Sequence, residues 1–151
     1  MSLNTEISKL DDLIVTTIDS VKGYEHSAQK AAGGIFAELL TALADERRSI
    51  VTLLQDQSRA LGGEPNDFGS AAATIHRRFE DLRVAIGGGD AAIVKEIGRG
   101  ENYLKEEFER ALKDDNISAT TRATIDRCYQ IIVAGRTQIE QLDAELTDNR
   151  A

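Results

Sequence analysis

The stretch LNTEISKLDDLIVTTIDSVKGYEHSAQKAAGG, residues 3–34, has the clearest helical pattern in the chain. Its apolar positions recur at alternating spacings of four and three: Leu3, Ile7, Leu10, Ile14, Thr17, Val21, Tyr24 and Ala28. Positions three and four apart share one face of an α-helix, so the spacing predicts an amphipathic helix over residues 4–30. The pair Gly33-Gly34 ends this helix and predicts a short turn.

Similar patterns outside this stretch predict three more long helices, over residues 35–61, 91–114 and 118–147. Gly62-Gly63 and Pro65 end the second helix, and Ser118 is a suitable N-cap for the last one. The apolar stripes are Phe36, Leu39, Leu43, Ile50, Leu53 and Ala60; Ile93, Ile97, Leu104, Phe108 and Leu112; and Ile125, Cys128, Ile132, Ile139, Leu142 and Leu146. A shorter pattern predicts a connector helix over residues 70–86, which Gly87-Gly88-Gly89 ends.

The composition supports an all-α fold and excludes several classes of function. The chain has 151 residues, one proline and 5% aromatic residues, which disfavours a sheet. One cysteine excludes an intrachain disulfide, and a net charge of −8 disfavours binding to nucleic acid. There is no apolar run of about 18 residues and no signal-peptide pattern. We therefore expect a single cytoplasmic domain over residues 1–151, with no membrane association.

The order of the helices predicts an antiparallel four-helix bundle with a long helical crossover between helices 2 and 3. Three strings in the sequence accompany this layout: Gly62-Gly63-Glu64-Pro65, the connector text HRRFEDL at residues 76–82, and Arg99-Gly100-Glu101. Together with the layout they resemble a small bacterial ferritin-like family of unknown function, over nearly the whole chain. The resemblance implies a ferritin-like bundle but no established activity.

Ferritin-like di-iron proteins suggest which residues a metal site would need. Such bundles place a Glu on each of two helices and a Glu-x-x-His on each of the other two. Glu25, Glu46 and Glu101 lie on the stripes of the first three helices, but Ser49 stands where His would follow Glu46. Glu25 and Glu46 are also offset along the bundle by roughly 9 Å, at 1.5 Å per residue. We expect no cofactor, with iron held by these three glutamates as the alternative.

Arg136 occupies a position on the last helix where a metal ligand would be wanted. It falls between Ile132 and Ile139 on the apolar stripe. One hypothesis is that its guanidinium replaces the metal and pairs with Glu96 or Glu101 inside the bundle, because a buried charge requires a partner. The alternative is that Arg136 extends from the edge of the stripe to solvent, with its stem packed on the core.

The other chemically active side chains indicate structural roles. Cys128 has the spacing of a small buried residue, and His26 and His76 have polar neighbours typical of a solvated face. Complementary charged faces allow self-association through helices. The basic face contains Arg77, Arg78 and Arg83, and the acidic face contains Glu106, Glu107 and Glu109.

These observations favour a non-enzymatic protein over an enzyme. The first interpretation is an interaction or stress-associated module, a ferritin-like bundle with a degenerate metal site. The alternative is a carboxylate-bridged di-iron or other metal-binding protein with oxidase or metal-storage activity.

Overall fold

The computed structural model describes residues 3–31, 34–70 and 90–148. These ranges contain four α-helices and no strand: α1 (Leu3–Lys30), α2 (Gly34–Ala60), α3 (Asp90–Leu112) and α4 (Ala119–Asp148). The four long helices predicted from the sequence are confirmed, and each end lies within two residues of its prediction. The predicted connector helix and its stop at residues 87–89 lie, except for Ser70, outside the described residues.

The helix ends follow the expected backbone chemistry. Gly62 has a φ of 92°, the left-handed conformation that closes helices, and the Gly63 amide donates a hydrogen bond of 2.8 Å to the Ser58 carbonyl. At the start of α4, the Thr121 amide donates a 3.3 Å hydrogen bond to Ser118 Oγ. Ser118 is thus the N-cap that the sequence predicts.

The helices pack in a closed circuit, since α1 contacts α2 and α3, and α4 also contacts α2 and α3. Their buried faces form two hydrophobic cores. We call the first the Phe108 core; it contains Leu10, Leu13, Ile14, Ile18, Val21, Ile50, Val51, Leu54, Leu104, Phe108, Ile117, Ile125, Cys128 and Ile132. We call the second the Leu43 core; it contains Tyr24, Phe36, Leu40, Leu43, Ala44, Ile93, Val94 and Ile139.

Hydrogen bonds fix the loop after α2 along α1. The Asn66 amide donates to Asp11 and the Ser70 amide donates to Asp19, each over 3.0 Å. Gly69, with a φ of 73°, passes so close to α1 that a Cβ there would lie 2.8 Å from Ile18 Cγ2. None of the helices in the described ranges combines the length and apolarity needed to cross a bilayer.

Candidate functional site

An arginine is the largest fully buried side chain of the described residues. Arg47 lies on α2 four residues after Leu43 and three before Ile50, which puts it on the buried face of the helix. Its relative exposure is 0%. A guanidinium stays charged in proteins, so this position brings a full positive charge into the bundle and requires a buried counter-charge.

The counter-charge is Glu101 on α3, which is 2% exposed. Arg47 Nη2 donates a hydrogen bond of 2.8 Å to Glu101 Oε2. The other carboxylate oxygen, Oε1, accepts a short hydrogen bond from the hydroxyl of Tyr24 on α1. The guanidinium carbon of Arg47 also lies 5.7 Å from the centre of the Tyr24 ring, within the range of a cation–π contact. We call Tyr24, Arg47 and Glu101 the central cluster.

The electrostatic setting keeps Tyr24 a hydrogen-bond donor. Burial and then the negative charge of Glu101 raise the pKa of Tyr24 well above its ordinary value, against the opposing effect of Arg47. The phenol therefore keeps its proton at neutral pH and donates a hydrogen bond to the carboxylate. The central cluster then contains one positive charge, on Arg47, and one negative charge, on Glu101, and the two groups are hydrogen-bonded to each other.

Glu46 lies beside the central cluster without completing it. Burial raises its pKa, the positive charge of Arg47 lowers it, and the net shift is upward. Its Oε1 atom is buried and has no hydrogen-bond partner among the described residues, and the same is true of Arg47 Nε and Nη1. Arg47 and Glu46 therefore retain hydrogen-bonding capacity that the described residues do not satisfy.

α4 approaches this region through a glycine. A Cβ on Gly135 would lie 2.9 Å from Arg47 Nη2 and 2.9 Å from Glu46 Oε1. The glycine thus lets the α4 backbone cover the guanidinium and exclude solvent. The sequence analysis considered Arg136 on this part of α4, but the residue that lies against Arg47 and Glu46 is Gly135.

The three glutamates proposed as metal ligands do not converge. Glu101 is buried in the central cluster and Glu46 lies beside it, whereas Glu25 is exposed and accepts a 2.7 Å hydrogen bond from Arg48 Nη2. Across residues 3–31, 34–70 and 90–148, no group of three His, Cys, Asp or Glu side chains is arranged to hold a metal ion.

The structure corrects the hypothesis that Arg136 pairs with a buried carboxylate and agrees with the alternative. Arg136 does not pair with Glu96 or Glu101. Its Nη2 donates a 2.5 Å hydrogen bond to Asn102 Oδ1, and its Nε lies 3.4 Å from Glu140 Oε1. The relative solvent exposure of the Arg136 side chain is 30%, as expected for an arginine at the edge of the stripe. Glu96 pairs instead with Arg99, over 2.6 Å.

Sequence reasoning missed Arg47, although a signal for it was present. Glu46 is three residues after Leu43 and four before Ile50, and Arg47 meets the same two neighbours with the spacings reversed. Both positions are therefore compatible with the stripe, and packing selects Arg47 for the interior. Of these two adjacent residues, only Arg47 has a charge opposite to that of Glu101, and this criterion would have identified it.

The remaining candidates take structural positions where they are described. Cys128 is buried, and burial raises the pKa of its thiol to about 12, so the reactive thiolate is disfavoured. His76 and the predicted basic face lie outside the described residues. On the acidic face, Glu107 pairs with Arg110 and Glu109 pairs with Lys105. Self-association through these faces stays a prediction.

The family described as a domain of unknown function, DUF2383, matches residues 5–114. The chain belongs to the DUF2383 family. The match spans α1, α2 and α3, and therefore includes every member of the central cluster; it ends before α4. The predicted membership in a family of unknown function is thereby confirmed. No curated protein matches the DUF2383 chain.

Proposed function

We propose that this DUF2383 protein is a ferritin-like bundle that acts as a non-enzymatic interaction or stress-associated module, with Arg47 in the place of a metal ion. The observation that carries the proposal is the fully buried ion pair between Arg47 and Glu101. In a carboxylate-bridged site, a metal cation neutralises the inward-facing carboxylates. Here a covalently fixed cation does so, and it offers no coordination position for dioxygen or substrate.

The donor set supports this choice over the metal-binding alternative. Both oxygens of Glu101 already accept hydrogen bonds, one from Tyr24 and one from Arg47. Glu25 faces outward toward Arg48. A ferrous ion bound by carboxylates needs several oxygen or nitrogen ligands around one point. Glu46 and Glu101 supply at most two carboxylates there, and the guanidinium already binds Glu101, so the residues present do not fit a di-iron centre.

An iron-binding and oxidation experiment tests the proposal. Purified protein is titrated with ferrous iron without oxygen and then exposed to air, with Glu46→Ala as the variant that removes a half-buried carboxylate. We expect no stoichiometric binding and no oxidation rate above the buffer background for either protein. Stoichiometric iron binding by the unaltered chain that is lost in Glu46→Ala would reverse the assignment in favour of a metal protein.

A further inference from the structure

A groove of about 420 Å³ runs between α1 and α3. On α1 its lining residues extend from Thr16 to Ser27, which corresponds to a length of roughly 16 Å at 1.5 Å per residue. On α3 the lining includes Ile97, Gly100 and Leu104, and the surface of the groove is predominantly apolar. Sites for small molecules usually have volumes of about 300–1,000 Å³ and combine apolar walls with a few polar groups. The groove has that size and composition.

The charged side chains around the groove already have partners. Asp19 accepts hydrogen bonds from both the backbone amide and the hydroxyl of Ser70. Glu96 pairs with Arg99 over 2.6 Å, and both oxygens of Glu101 accept hydrogen bonds within the central cluster. A charged ligand would lose its hydration in this groove without gaining a free counter-charge, which is costly. The groove therefore favours an uncharged ligand.

Ser27 supplies a hydrogen-bonding group that such a ligand can use. The residue is 1% exposed, and among the described residues that line the groove it alone has a buried side-chain oxygen with no hydrogen-bond partner. A hydroxyl within a helix commonly donates to the carbonyl four residues earlier, as Thr17 does to Leu13 over 2.7 Å, but Ser27 makes no such contact. A hydroxyl both donates and accepts hydrogen bonds, and leaving it unsatisfied in a buried position is unfavourable. A ligand oxygen next to Ser27 would be stabilised for this reason.

We propose that this groove binds a small uncharged organic molecule, an apolar chain that carries one hydroxyl or carbonyl oxygen. The ligand oxygen forms a hydrogen bond with Ser27 Oγ, and the chain packs along the groove against Ile97 and Leu104. This inference does not rest on the proposed replacement of a metal by Arg47, since the groove and the unpartnered hydroxyl are separate observations.

The test uses three probes with the same chain and different head groups at pH 7: hexanol, hexylamine and hexanoate. Binding is followed by NMR through the isotope-labelled methyl group of Ile97, with Ile125 in the Phe108 core as the internal control. We expect hexanol to shift the Ile97 signal with a Kd of about 1 mM, given the efficiency of small ligands. The two charged probes should bind about tenfold more weakly or not at all, because their head groups find no free counter-charge. The Ile125 signal should stay unchanged.

Two glycine variants on α3 locate the site. A Cβ on Gly100 or on Gly98 meets no atom within 4 Å, so the helix accepts a leucine at either position. Gly100 lines the groove and Gly98 does not. Gly100→Leu should fill the groove and abolish the response to hexanol, whereas Gly98→Leu, the matched control, should bind hexanol like the unaltered chain. Unchanged binding in Gly100→Leu, or an equal loss in both variants, would overturn the proposal.

Two serine variants on α1 test the hydrogen bond. Ser27→Ala should weaken the binding of hexanol about fivefold, the worth of one hydrogen bond between uncharged groups. Ser20→Ala removes a less buried hydroxyl from the same wall of the groove and should leave the Kd within about twofold, since water already reaches this position. Equal effects of the two substitutions would overturn the proposal. The same holds for no response to hexanol at 20-fold excess over the expected Kd (about 20 mM), and for either charged probe binding as tightly as hexanol.

Discussion

The Phe108 core and the Leu43 core are built by the same helices but differ in what lies inside them. The Phe108 core is entirely apolar, with Cys128 as its one titratable side chain. The Leu43 core includes Tyr24, whose hydroxyl joins the ion pair of Arg47 and Glu101. The Phe108 core is thus stabilised by apolar burial, whereas the Leu43 core also depends on a pair of charges beside it.

This difference has a physical consequence for pH. Hydrophobic burial does not change with protonation, so the contribution of the Phe108 core should be constant from pH 5 to pH 8. A buried ion pair costs desolvation and is stabilising only while both partners are present and charged. Variants in the two regions should therefore lose stability with different dependence on pH.

Arg47→Met is expected to produce the largest effect. The change keeps much of the buried stem but leaves the Glu101 carboxylate without its counter-charge, which typically costs about 3–5 kcal/mol. Denaturant titrations at pH 5 and pH 8 measure the loss and its dependence on pH.

Two variants make this comparison sharp. Phe108→Ala should cost a similar amount, about 3–5 kcal/mol, with no dependence on pH over the same range. Arg48→Met changes the adjacent, exposed arginine, which pairs with Glu25 and Asp45, and should cost about 1 kcal/mol or less. A loss for Arg47→Met that equals that of Arg48→Met would contradict a buried ion pair at the centre of the bundle.

The sequence predicts the fold better than the site because the two depend on different information. Helix positions follow from local spacing and from end signals such as Gly62 and Ser118. The site depends on which of two adjacent residues faces the interior of the bundle. On α2 this residue is Arg47 rather than Glu46, and on α1 it is Tyr24 rather than Glu25. Both choices satisfy a stripe of threes and fours, and only the packing of neighbouring helices, including the close approach at Gly135, distinguishes them.

The next largest expected effect is at the Phe108 end of the bundle, where the Glu6 side chain of α1 binds Ser118, the N-cap of α4. Glu6 Oε1 accepts hydrogen bonds from the Ser118 amide, over 2.9 Å, and from Ser118 Oγ, over 2.6 Å. Burial would raise the pKa of Glu6, but the hydrogen bonds from Ser118 and Thr121 outweigh it and lower the pKa below its ordinary value of 4.5. Glu6→Ala should cost about 1–2 kcal/mol at pH 7, as for the loss of a helix cap.

The sign of the pH dependence follows from the lowered pKa of Glu6. Its contribution is fully present above the unfolded value near 4.5 and is lost as the pH falls through the lower folded value. The stability difference between the unaltered chain and Glu6→Ala should therefore narrow below about pH 4.5. Thermal unfolding at pH 3.5 and pH 7 measures this difference, and an equal gap at both pH values would exclude a role for the ionised carboxylate.

The smallest expected effect is that of Arg136→Met, the same chemical change as Arg47→Met at the edge of the bundle. Arg136 is 30% exposed, and its contacts are the neutral amide of Asn102 and the exposed Glu140. Removing its charge leaves no buried carboxylate unpaired, so the loss should stay below about 1 kcal/mol at every pH. Parallel denaturant titrations of Arg47→Met and Arg136→Met at pH 5 and pH 8 compare the same substitution at a buried and at a partly exposed position. A loss above about 2 kcal/mol for Arg136→Met that grows with pH would transfer the role of central cation from Arg47 to Arg136.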